Sequence, residues 1–343
     1  MVTKPWLASS DVSDDIVISS RVRLARNLSG FPFPCRASAR QKIQIAKVIR
    51  EAVNSTLFHS PVEEIFLSQI SDFAKIFLLE RHVISKEHAM AQEERSFFLS
   101  SDESISFMVN EEDHLRMQIL MKGRGLKESW TVLDAIDTSL MEKLNFAFTE
   151  QYGFLTQCPT NVGTGMRASI MLHLPAIVMI DRHKSIFETI AKMGLMVRGL
   201  YGEGSGCIGQ MFQISNQLTL GINEENILKR LWQVVDQVLL QEKTVREDLL
   251  KNHRRFMEDK FYRALGVLKN ARFMSFSESI DLLSTLWLGC SMNLPFDLEK
   301  NILFQLFFLT QPGHIQMLEE KSMTSEQRDA KRADLIRQNL VMV

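Results

Sequence analysis

Five arginines, two glutamates and one cysteine occupy positions that could together perform phosphoryl chemistry. Each lies in a stretch whose pattern indicates a loop or the end of a strand, where a side chain can reach a ligand. A nucleoside triphosphate carries about four negative charges, and converging arginines can neutralise it and the charge on a transferring phosphoryl group. The residues are Arg21, Arg23, Arg116, Arg167, Arg198, Glu112, Glu203 and Cys158.

The carboxylates and the thiol would recruit a cation, and a guanidinium fits that combination. Its pKa is above ~12, so a nitrogen lone pair becomes available only when a proton is removed. Carboxylates could align the guanidinium and one could accept the proton, while a thiolate beside arginines could help to polarise it. The set is consistent with an enzyme that joins a polyanion to a cationic acceptor.

Residues 158–169 (CPTNVGTGMRAS) are the stretch around which the chain is arranged. They place a thiol, a rigid proline turn, two glycines that allow close approach of backbone and Arg167 directly before an apolar run. A buried cysteine is more often a small apolar residue, and an arginine in a loop is more often solvated. A structural role therefore stays open for this stretch taken alone.

Residues 12–26 alternate in the manner of a strand, which places Arg21 and Arg23 on one face. The two arginines could form an anion clamp or, equally, could be charges that guard a solvated edge strand. Residues 97–109 predict a β-hairpin, which leads into the acidic run 110–113. Those carboxylates could form part of a site, or they could cap a helix that begins near Leu115.

Periodicity predicts helices over residues 38–58, 185–192, 277–292, 298–308 and 325–340, a helix or helix pair over 62–81, and strands over 176–180, 194–197 and 211–218. Gly204, Gly206 and Gly209 formally match GxGxxG, but a strand pattern follows them, so a dinucleotide fold is excluded. The sequence also lacks the Walker A lysine motif and the HRD and DFG triplets of protein kinases.

The chain has 343 residues, a net charge of −1 and 45% hydrophobic residues, which predicts about two soluble domains and gives no sign of a nucleic-acid or membrane partner. Its four cysteines are scattered, with neither a disulfide framework nor zinc-ligand spacing. The first residues lack an apolar signal core. We therefore expect a reduced, cytoplasmic location, a first domain over residues 1–245 and an all-helical domain over 246–343.

Several motifs resemble, in order and spacing, the ATP:guanido phosphotransferases, and more closely the bacterial protein-arginine kinases of the McsB type. The first set is SRVR at 20–23, NEEDHLR at 110–116, CPTN at 158–161, RG at 198–199 and ISN at 214–216. The second set is residues 19–27, ERH at 80–82, GTGMR at 163–167 and YGEGS at 201–205. This resemblance implies an α+β catalytic domain, with an antiparallel sheet flanked by helices, followed by a helical domain.

The resemblance also implies roles for individual residues. Glu112 would be the base, Glu203 the second carboxylate that holds the guanidinium, and Cys158 would lie beside the acceptor nitrogen. Mg²⁺ would be bound through the phosphates of ATP, with no protein ligand. The ATP-binding residues would be Ser20, Arg21, Arg23, His82, Arg116, Arg167 and Arg198.

The part of the site that would bind the guanidinium acceptor indicates which substrate enters. Phosphagen kinases carry a helical domain before the catalytic domain that closes over a small guanidine, whereas here the helices follow the catalytic domain. An uncovered acceptor side could admit an arginine on a protein surface. The alternatives are a kinase for free arginine or another small guanidine, and a catalytically weak adaptor that binds arginine-phosphorylated proteins.

Arg328 and Arg332 lie four residues apart near the C-terminus, and such a pair is most often a solvated helix face. The surrounding residues 326–333 (EQRDAKRA) are similar to the RDxxRA motif of the McsB family, which implies a phosphoarginine-binding pocket of Arg328, Asp329 and Arg332. The family further implies a McsA-like activator, a Clp protease and homodimers. One departure is Gly206, where the family pattern continues with glutamate, and it bears on the mobility of the loop that carries Glu203.

Overall fold

The computed structural model describes residues 14–56, 61–91, 95–199, 208–292, 294 and 298–340. Ten strands are present in these ranges: β1 Val17–Arg26, β2 Val62–Phe66, β3 Ser96–Ser100, β4 Ile105–Val109, β5 Leu115–Lys122, β6 Phe148–Thr149, β7 Gly153–Phe154, β8 Met166–His173, β9 Leu195–Gly199 and β10 Met211–Asn216. Eight of them form one antiparallel sheet in the order β2-β3-β4-β5-β1-β8-β10-β9, and β6 and β7 form a separate hairpin.

The helices of the described residues fall on both sides of this sheet and continue beyond it. They are α1 Ala39–Asn54, α2 Asp72–Glu80, α3 Lys86–Ala89, α4 Leu126–Met141, α5 Pro175–Met179, α6 His183–Lys192, α7 Glu224–Asn270, α8 Phe276–Ser291, α9 Lys300–Leu309, α10 Pro312–Leu318 and α11 Ser325–Leu340. The α+β class predicted from the sequence is confirmed. None of these helices is both long and apolar enough to cross a bilayer.

Strand β1 is central, and the alternation of its side chains separates the two faces of the sheet. Val22 and Leu24 are fully buried on one face, in a core formed with α1, α4 and the first half of α7. Arg21 and Arg23 point to the other face because successive residues of a strand alternate. The apolar residues of β1 therefore anchor the strand, while its arginines are half-buried on the other face.

The C-terminal helices cover part of the arginine-bearing face. Leu120, Met171 and Met211 of the sheet pack with Trp287 and Phe304 in a second core that belongs mainly to α8, α9 and α11. The Trp287 indole donates a hydrogen bond of 2.8 Å to the carbonyl of Asp15. This face of the sheet thus has two parts: one carries the arginines, and the other packs against the helical region.

Three sequence predictions are corrected by the structure. Residues 115–122 form strand β5, so the acidic run 110–113 lies in a hairpin turn and does not cap a helix. Residues 62–66 form an edge strand before α2, although a helix was expected over 62–81. Residues 175–179 form a short helix that begins at Pro175, where a buried strand was expected over 176–180.

Helix α7 extends across the position at which the sequence predicts a domain boundary. It begins after Asn223, whose side chain accepts from the amide of Asn226 at 2.9 Å. It continues through residues 245 and 246 and has one non-helical residue, His253, at φ −133° and ψ 26°. Two helical segments that meet in a kink at His253 therefore join the sheet region to the helical region.

Candidate active site

The register of the sheet brings four of the predicted arginines to one face. Arg23 of β1 lies directly opposite Arg167 of β8. Arg21 is two residues before Arg23, and Arg116 of β5 is opposite Ala25, two residues after it. Because residues two apart on a strand share a face, these four guanidinium groups are neighbours on the same surface.

Arg198 of β9 joins this group from the edge of the sheet. Its Nε and an Nη of Arg167 both contact the sulfur of Met196, at 3.0 and 3.4 Å. Arg198 is paired in register with Gln213, whose side-chain oxygen accepts from Arg21 at 3.2 Å. The structure therefore brings all five arginines together, as the sequence analysis predicts; we call them the arginine cluster.

The guanidinium groups of the arginine cluster repel one another at Arg21 and Arg23. Burial, together with the charges of Arg116 and Arg167, lowers the pKa of Arg21 to about 10. Burial and the charges of Arg21, Arg116 and Arg167 lower the pKa of Arg23 well below its ordinary value. Among the described residues no hydrogen-bond partner reaches the buried Nε of Arg23. A polyanion bound here would relieve this repulsion.

The turn between β4 and β5 carries the carboxylates. It begins at Asn110, which adopts a left-handed conformation (φ 52°) and donates from its side chain to the carbonyl of Lys42 at 2.9 Å. Glu111 accepts from Arg116 at 2.6 Å and from Ser85 at 2.5 Å. Burial alone would raise the pKa of Glu111, but Arg116 and Ser85 lower it to about 2. Glu111 therefore stays ionised and fixes Arg116.

Glu112 is half-buried and has the opposite character. Burial raises its pKa above the ordinary value, and the carboxylates of Asp113, Glu111 and Glu87 add to this against the lowering effect of Arg116. A carboxylate with a raised pKa accepts a proton more readily than an ordinary glutamate does. Of the three acids in the turn, Glu112 thus combines solvent access with basicity.

The loop that carries Cys158 is tied to the same turn. Asp113 accepts from the amide of Gln157 at 2.7 Å and from the side chain of Asn27 at 2.6 Å. The sulfur of Cys158 lies 3.0 Å from the hydroxyl oxygen of Thr160. Asp113 therefore acts as the link that keeps the cysteine loop beside Glu112.

A close backbone approach closes the far end of this loop. Gly163 has φ 112°, and a Cβ at this position would lie 2.2 Å from the carbonyl oxygen of Thr219. The hydroxyl of Thr219 donates to the carbonyls of Thr160 and Val162, at 2.9 and 2.7 Å. Glycine is required here because any larger residue would push the loop away from the strand end.

Of the two other predicted ATP-binding residues, His82 lies at the arginine cluster and the side chain of Ser20 does not. Burial, together with the charges of Arg21 and Arg23, lowers the pKa of His82 to about 3. The Ser20 hydroxyl is fully buried on the opposite face, where it donates to the carbonyl of Gly123 at 2.7 Å. The backbone of Ser20 pairs with β5 and β8 and so helps to fix the position of Arg21 in the sheet.

Glu203 and Gly206 lie outside the residues that the structure describes. Farther along the chain, Arg332 is 1% exposed and donates to the carbonyls of Thr310 and Met274 at 2.7 and 2.8 Å. It also forms an ion pair with Asp329. Arg328 is half-buried and donates to the carbonyl of Met323 at 2.6 Å.

Three supporting roles were not predicted from the sequence, which had placed Glu111 only within an acidic run. Glu111 neutralises Arg116, Met196 contacts two arginines, and the side chain of Gln118 donates to the carbonyl of His82 at 2.7 Å. The position of Gln118 two residues after Arg116 on the same strand was the available signal. The contacts of Met196 depend on the pairing of strands distant in sequence.

Comparisons with known proteins give two family matches and several relatives of similar length. The C-terminal catalytic domain of the ATP:guanido phosphotransferases matches residues 44–245, and the C-terminal domain of protein-arginine kinase McsB matches residues 254–343. The protein-arginine kinase of Halothermothrix orenii is 41% identical over 98% of this chain and 96% of its own length. That of Halalkalibacterium halodurans is 42% identical over 98% and 95%.

Two solved structures share the fold. The duplicated taurocyamine kinase of Schistosoma mansoni, which has bound components of a transition-state analogue, is similar at a TM-score of 0.61 and 27% identity, over 71% of this chain and 36% of that one. Lombricine kinase gives a TM-score of 0.62 over 72% of each chain at 20% identity, which shows the fold alone. With the full-length matches above, these findings show that the chain belongs to the ATP:guanido phosphotransferase family, and within it to the protein-arginine kinases.

Proposed function

We propose that this chain transfers the γ-phosphoryl group of ATP to the guanidinium of arginine side chains in proteins. The observation that carries the proposal is the set of five arginines on one sheet face, bordered by the turn that holds Glu112. The full-length similarity to protein-arginine kinases supports a protein arginine as the acceptor over the two alternatives, a small guanidine kinase and an inactive adaptor.

The arginine cluster would hold the phosphates of ATP. The positive charges of Arg21 and Arg23 are repelled by those of the neighbouring arginines. A ligand with several negative charges would neutralise this repulsion, and the free energy released would favour its binding. A surface of guanidinium groups repels a free metal ion, so Mg²⁺ would arrive on the nucleotide and be held by phosphate oxygens and water. It would supply further neutralisation of the phosphates when bound.

The turn and the cysteine loop would hold the acceptor. Glu112 would take a proton from the guanidinium, whose nitrogen would then form a bond to the γ-phosphorus while the bond to the β-phosphate oxygen breaks and ADP leaves. Glu203 would hold the guanidinium from a second side, and Cys158 would lie beside the reacting nitrogen. Direct in-line transfer requires no covalent intermediate on the enzyme.

For the C-terminal region we propose phosphoarginine binding and contacts with partner proteins. The segment with Arg328, Asp329 and Arg332 would bind phosphoarginine, for feedback or for recruitment of modified proteins, in keeping with the match to the McsB C-terminal domain. A McsA-like activator, delivery of marked proteins to a Clp protease, homodimers and a cytoplasmic location belong to the proposal on the same similarity.

The experiment is to incubate the chain with MgATP and unfolded casein and to detect phosphoarginine by mass spectrometry near neutral pH, since the P–N bond is labile in acid. We expect phosphoarginine with the parent chain and none with Glu112→Ala. Free L-arginine serves as the competing acceptor: ATP consumption with L-arginine and none with casein would establish the small-guanidine kinase. Binding of phosphoarginine peptides without any transfer would establish the adaptor.

A further inference from the structure

His82 occupies a backbone conformation that ordinarily belongs to glycine. It follows the last turn of α2 at φ 59°, with its amide donating to the carbonyl of Leu79 at 2.9 Å. Val83 closes the turn by donating to the carbonyl of Leu78 at 3.0 Å. A helix that ends in a left-handed residue normally has glycine there because a Cβ is disfavoured. His82 is thus held in a backbone conformation that the contacts around it must stabilise.

The two residues before His82 are bound to the C-terminal region. The carboxylate of Glu80 accepts from the backbone amides of Gly313 and His314, at 2.7 and 3.0 Å, and lies 2.9 Å from Nδ1 of His314. The fit is tight, since a Cβ on Gly313 would lie 2.7 Å from the amide nitrogen of Phe77. Glu80 therefore docks α10 against the end of α2.

Arg81 determines which way the His314 ring is protonated. It is fully buried, its Nε donates to Nε2 of His314 at 3.3 Å, and its guanidinium forms an ion pair with Glu103. Because a guanidinium can only donate, Nε2 of His314 accepts and Nδ1 carries the hydrogen that is donated to Glu80. Glu80, Arg81 and His314 thus form a three-residue junction in which both ring nitrogens of His314 have a partner.

His82 is held from the sheet side as well. Gln118 of β5 donates to the carbonyl of His82 at 2.7 Å and to that of Val83 at 3.0 Å. The contact with Gln118 and the junction at residues 80 and 81 together fix the backbone of His82 from two sides. We propose that Glu80 and His314 are positioning residues that use the docking of α10 to set the His82 imidazole at the arginine cluster, so that the C-terminal region controls the affinity for ATP.

This inference rests on the proposed function, because it requires that His82 contacts the nucleotide. A purely structural role would loosen the whole protein, whereas a positioning role would change ATP affinity selectively. Lys300 offers a matched control, since its amine forms a 2.7 Å ion pair with Asp15 that also joins the C-terminal helices to the sheet region. That pair does not involve residues 80–82.

The test uses the full-length chain with Glu80→Gln, His314→Ala, Lys300→Gln and His82→Gly, each titrated with a non-hydrolysable ATP analogue and assayed for kcat and KM on casein. We expect Glu80→Gln and His314→Ala to raise the Kd of the analogue about tenfold, as loss of charge-assisted hydrogen bonds would, with kcat at saturating ATP within about twofold. Lys300→Gln should leave the Kd unchanged.

The double variant Glu80→Gln with His82→Gly separates the possible outcomes. If the junction acts through His82, Glu80→Gln has no further effect on the Kd once the imidazole is removed. Equal weakening by Glu80→Gln and Lys300→Gln, or additive effects in the double variant, would overturn the positioning role. An unchanged Kd in His82→Gly alone would also overturn the inference, because the imidazole would then make no contact with the nucleotide. Failure of the proposed function would show separately, as absence of phosphoarginine on casein with the parent chain.

Should His314→Ala fail to fold, His314→Asn serves in its place, since its amide can still donate to Glu80. We expect it to bind the analogue within about threefold of the parent, because the contact to Glu80 is kept. A tenfold loss in this variant, with thermal unfolding like that of the parent, would contradict the role assigned to the Glu80 contact.

Discussion

At the scale of single residues, the arginine cluster increases the affinity for an anion and lowers the stability of the free chain. Arg23 faces Arg167 across the strand pair and has Arg21 and Arg116 as neighbours. Like charges placed directly opposite one another on a sheet are destabilising. Such an arrangement persists where a ligand of opposite charge uses it, and stabilising substitutions there remove function.

We therefore expect Arg23→Met to stabilise the ligand-free chain and to weaken ATP binding. The thioether removes a repelled charge while it keeps the volume, so the free energy of unfolding in urea should rise by about 1 kcal/mol. The Kd for ATP should rise by at least about tenfold, in line with loss of one charged hydrogen bond. A variant that lost both stability and affinity would show that the cluster is not strained.

Glu112 leads to a prediction about pH. If it is the base, the rate depends on its unprotonated fraction and falls as pH decreases through a pKa that lies above the ordinary glutamate value. Glu87 is one of the carboxylates that raise this pKa. We expect Glu87→Gln to move the acid limb of the kcat profile to lower pH, whereas Glu51→Gln, an exposed acid on α1, should leave it in place. An unshifted limb in Glu87→Gln would argue against Glu112 as the titrating group.

At the scale of elements, the sequence predicted best those segments whose periodicity reflects one buried face. The helix over 325–340 has the bounds expected from the sequence. The hairpin over 97–109 is also present, although every residue of β3 and β4 is buried, because the polar turn between the two strands marked it. Strand β5 was ambiguous because both of its faces are covered, so Ile119 and Leu120 are both buried and the alternation is lost. A short apolar run such as 176–180 does not distinguish strand from helix, and Pro175 at the first helical position was the usable signal.

The candidate site was predictable to a similar extent. The arginines and Glu112 could be identified by residue type and spacing, because charged residues beside strands are informative in the sequence alone. The partners that fix them, such as Glu111 for Arg116, depend on which strands pair. The junction at Glu80 could not be foreseen, since it joins residues more than 200 positions apart.

The contact between β1 and α4 leads to a prediction about stability. Arg26 is 1% exposed, donates to both carboxylate oxygens of Asp137 and to the carbonyls of Ala25 and Thr164, and lies 3.5 Å from the centre of the Phe154 ring. Removing one partner of a buried ion pair leaves an uncompensated charge. We expect Asp137→Ala to lower the free energy of unfolding by about 3–5 kcal/mol in urea titrations.

Glu258 provides the comparison for that variant. Its ion pair with Arg254 lies on the exposed face of α7 at 2.9 Å. Exposed pairs of this kind contribute only about 0–1 kcal/mol, so Glu258→Ala should be close to neutral. Equal losses in the two variants would contradict the assignment of Arg26 and Asp137 as a buried support of the sheet.

At the scale of the whole molecule, the helical region is part of the structure around the site. The sheet face with the arginine cluster continues into the core formed by Leu120, Met171 and Met211 with α8 and α9. The carbonyl of Thr310, which accepts from Arg332, lies just before α10, the helix that docks on Glu80. The proposed phosphoarginine-binding segment and the proposed ATP site are thus joined by buried contacts.

This arrangement assigns different roles to Arg328 and Arg332, although the sequence placed them as an equivalent pair. Arg332 is buried and its guanidinium is occupied by two carbonyls and Asp329, so Arg332→Met should lower the free energy of unfolding by about 2–4 kcal/mol. Arg328 is half-buried with a single backbone contact, so Arg328→Ala should change stability by less than about 1 kcal/mol.

Arg328 contributes little to stability, but we expect it to contribute directly to phosphoarginine binding. We expect Arg328→Ala to weaken a phosphoarginine peptide at least about tenfold in full-length chain, because a charged contact to the phosphoryl group is lost from a folded pocket. Asp329→Ala should abolish binding and also lower stability, because it releases Arg332. The same peptide with unmodified arginine is the control ligand. Unchanged affinity in both Arg328→Ala and Asp329→Ala would place phosphoarginine recognition elsewhere, whereas a loss confined to the destabilised variants would reduce this segment to a support for α10.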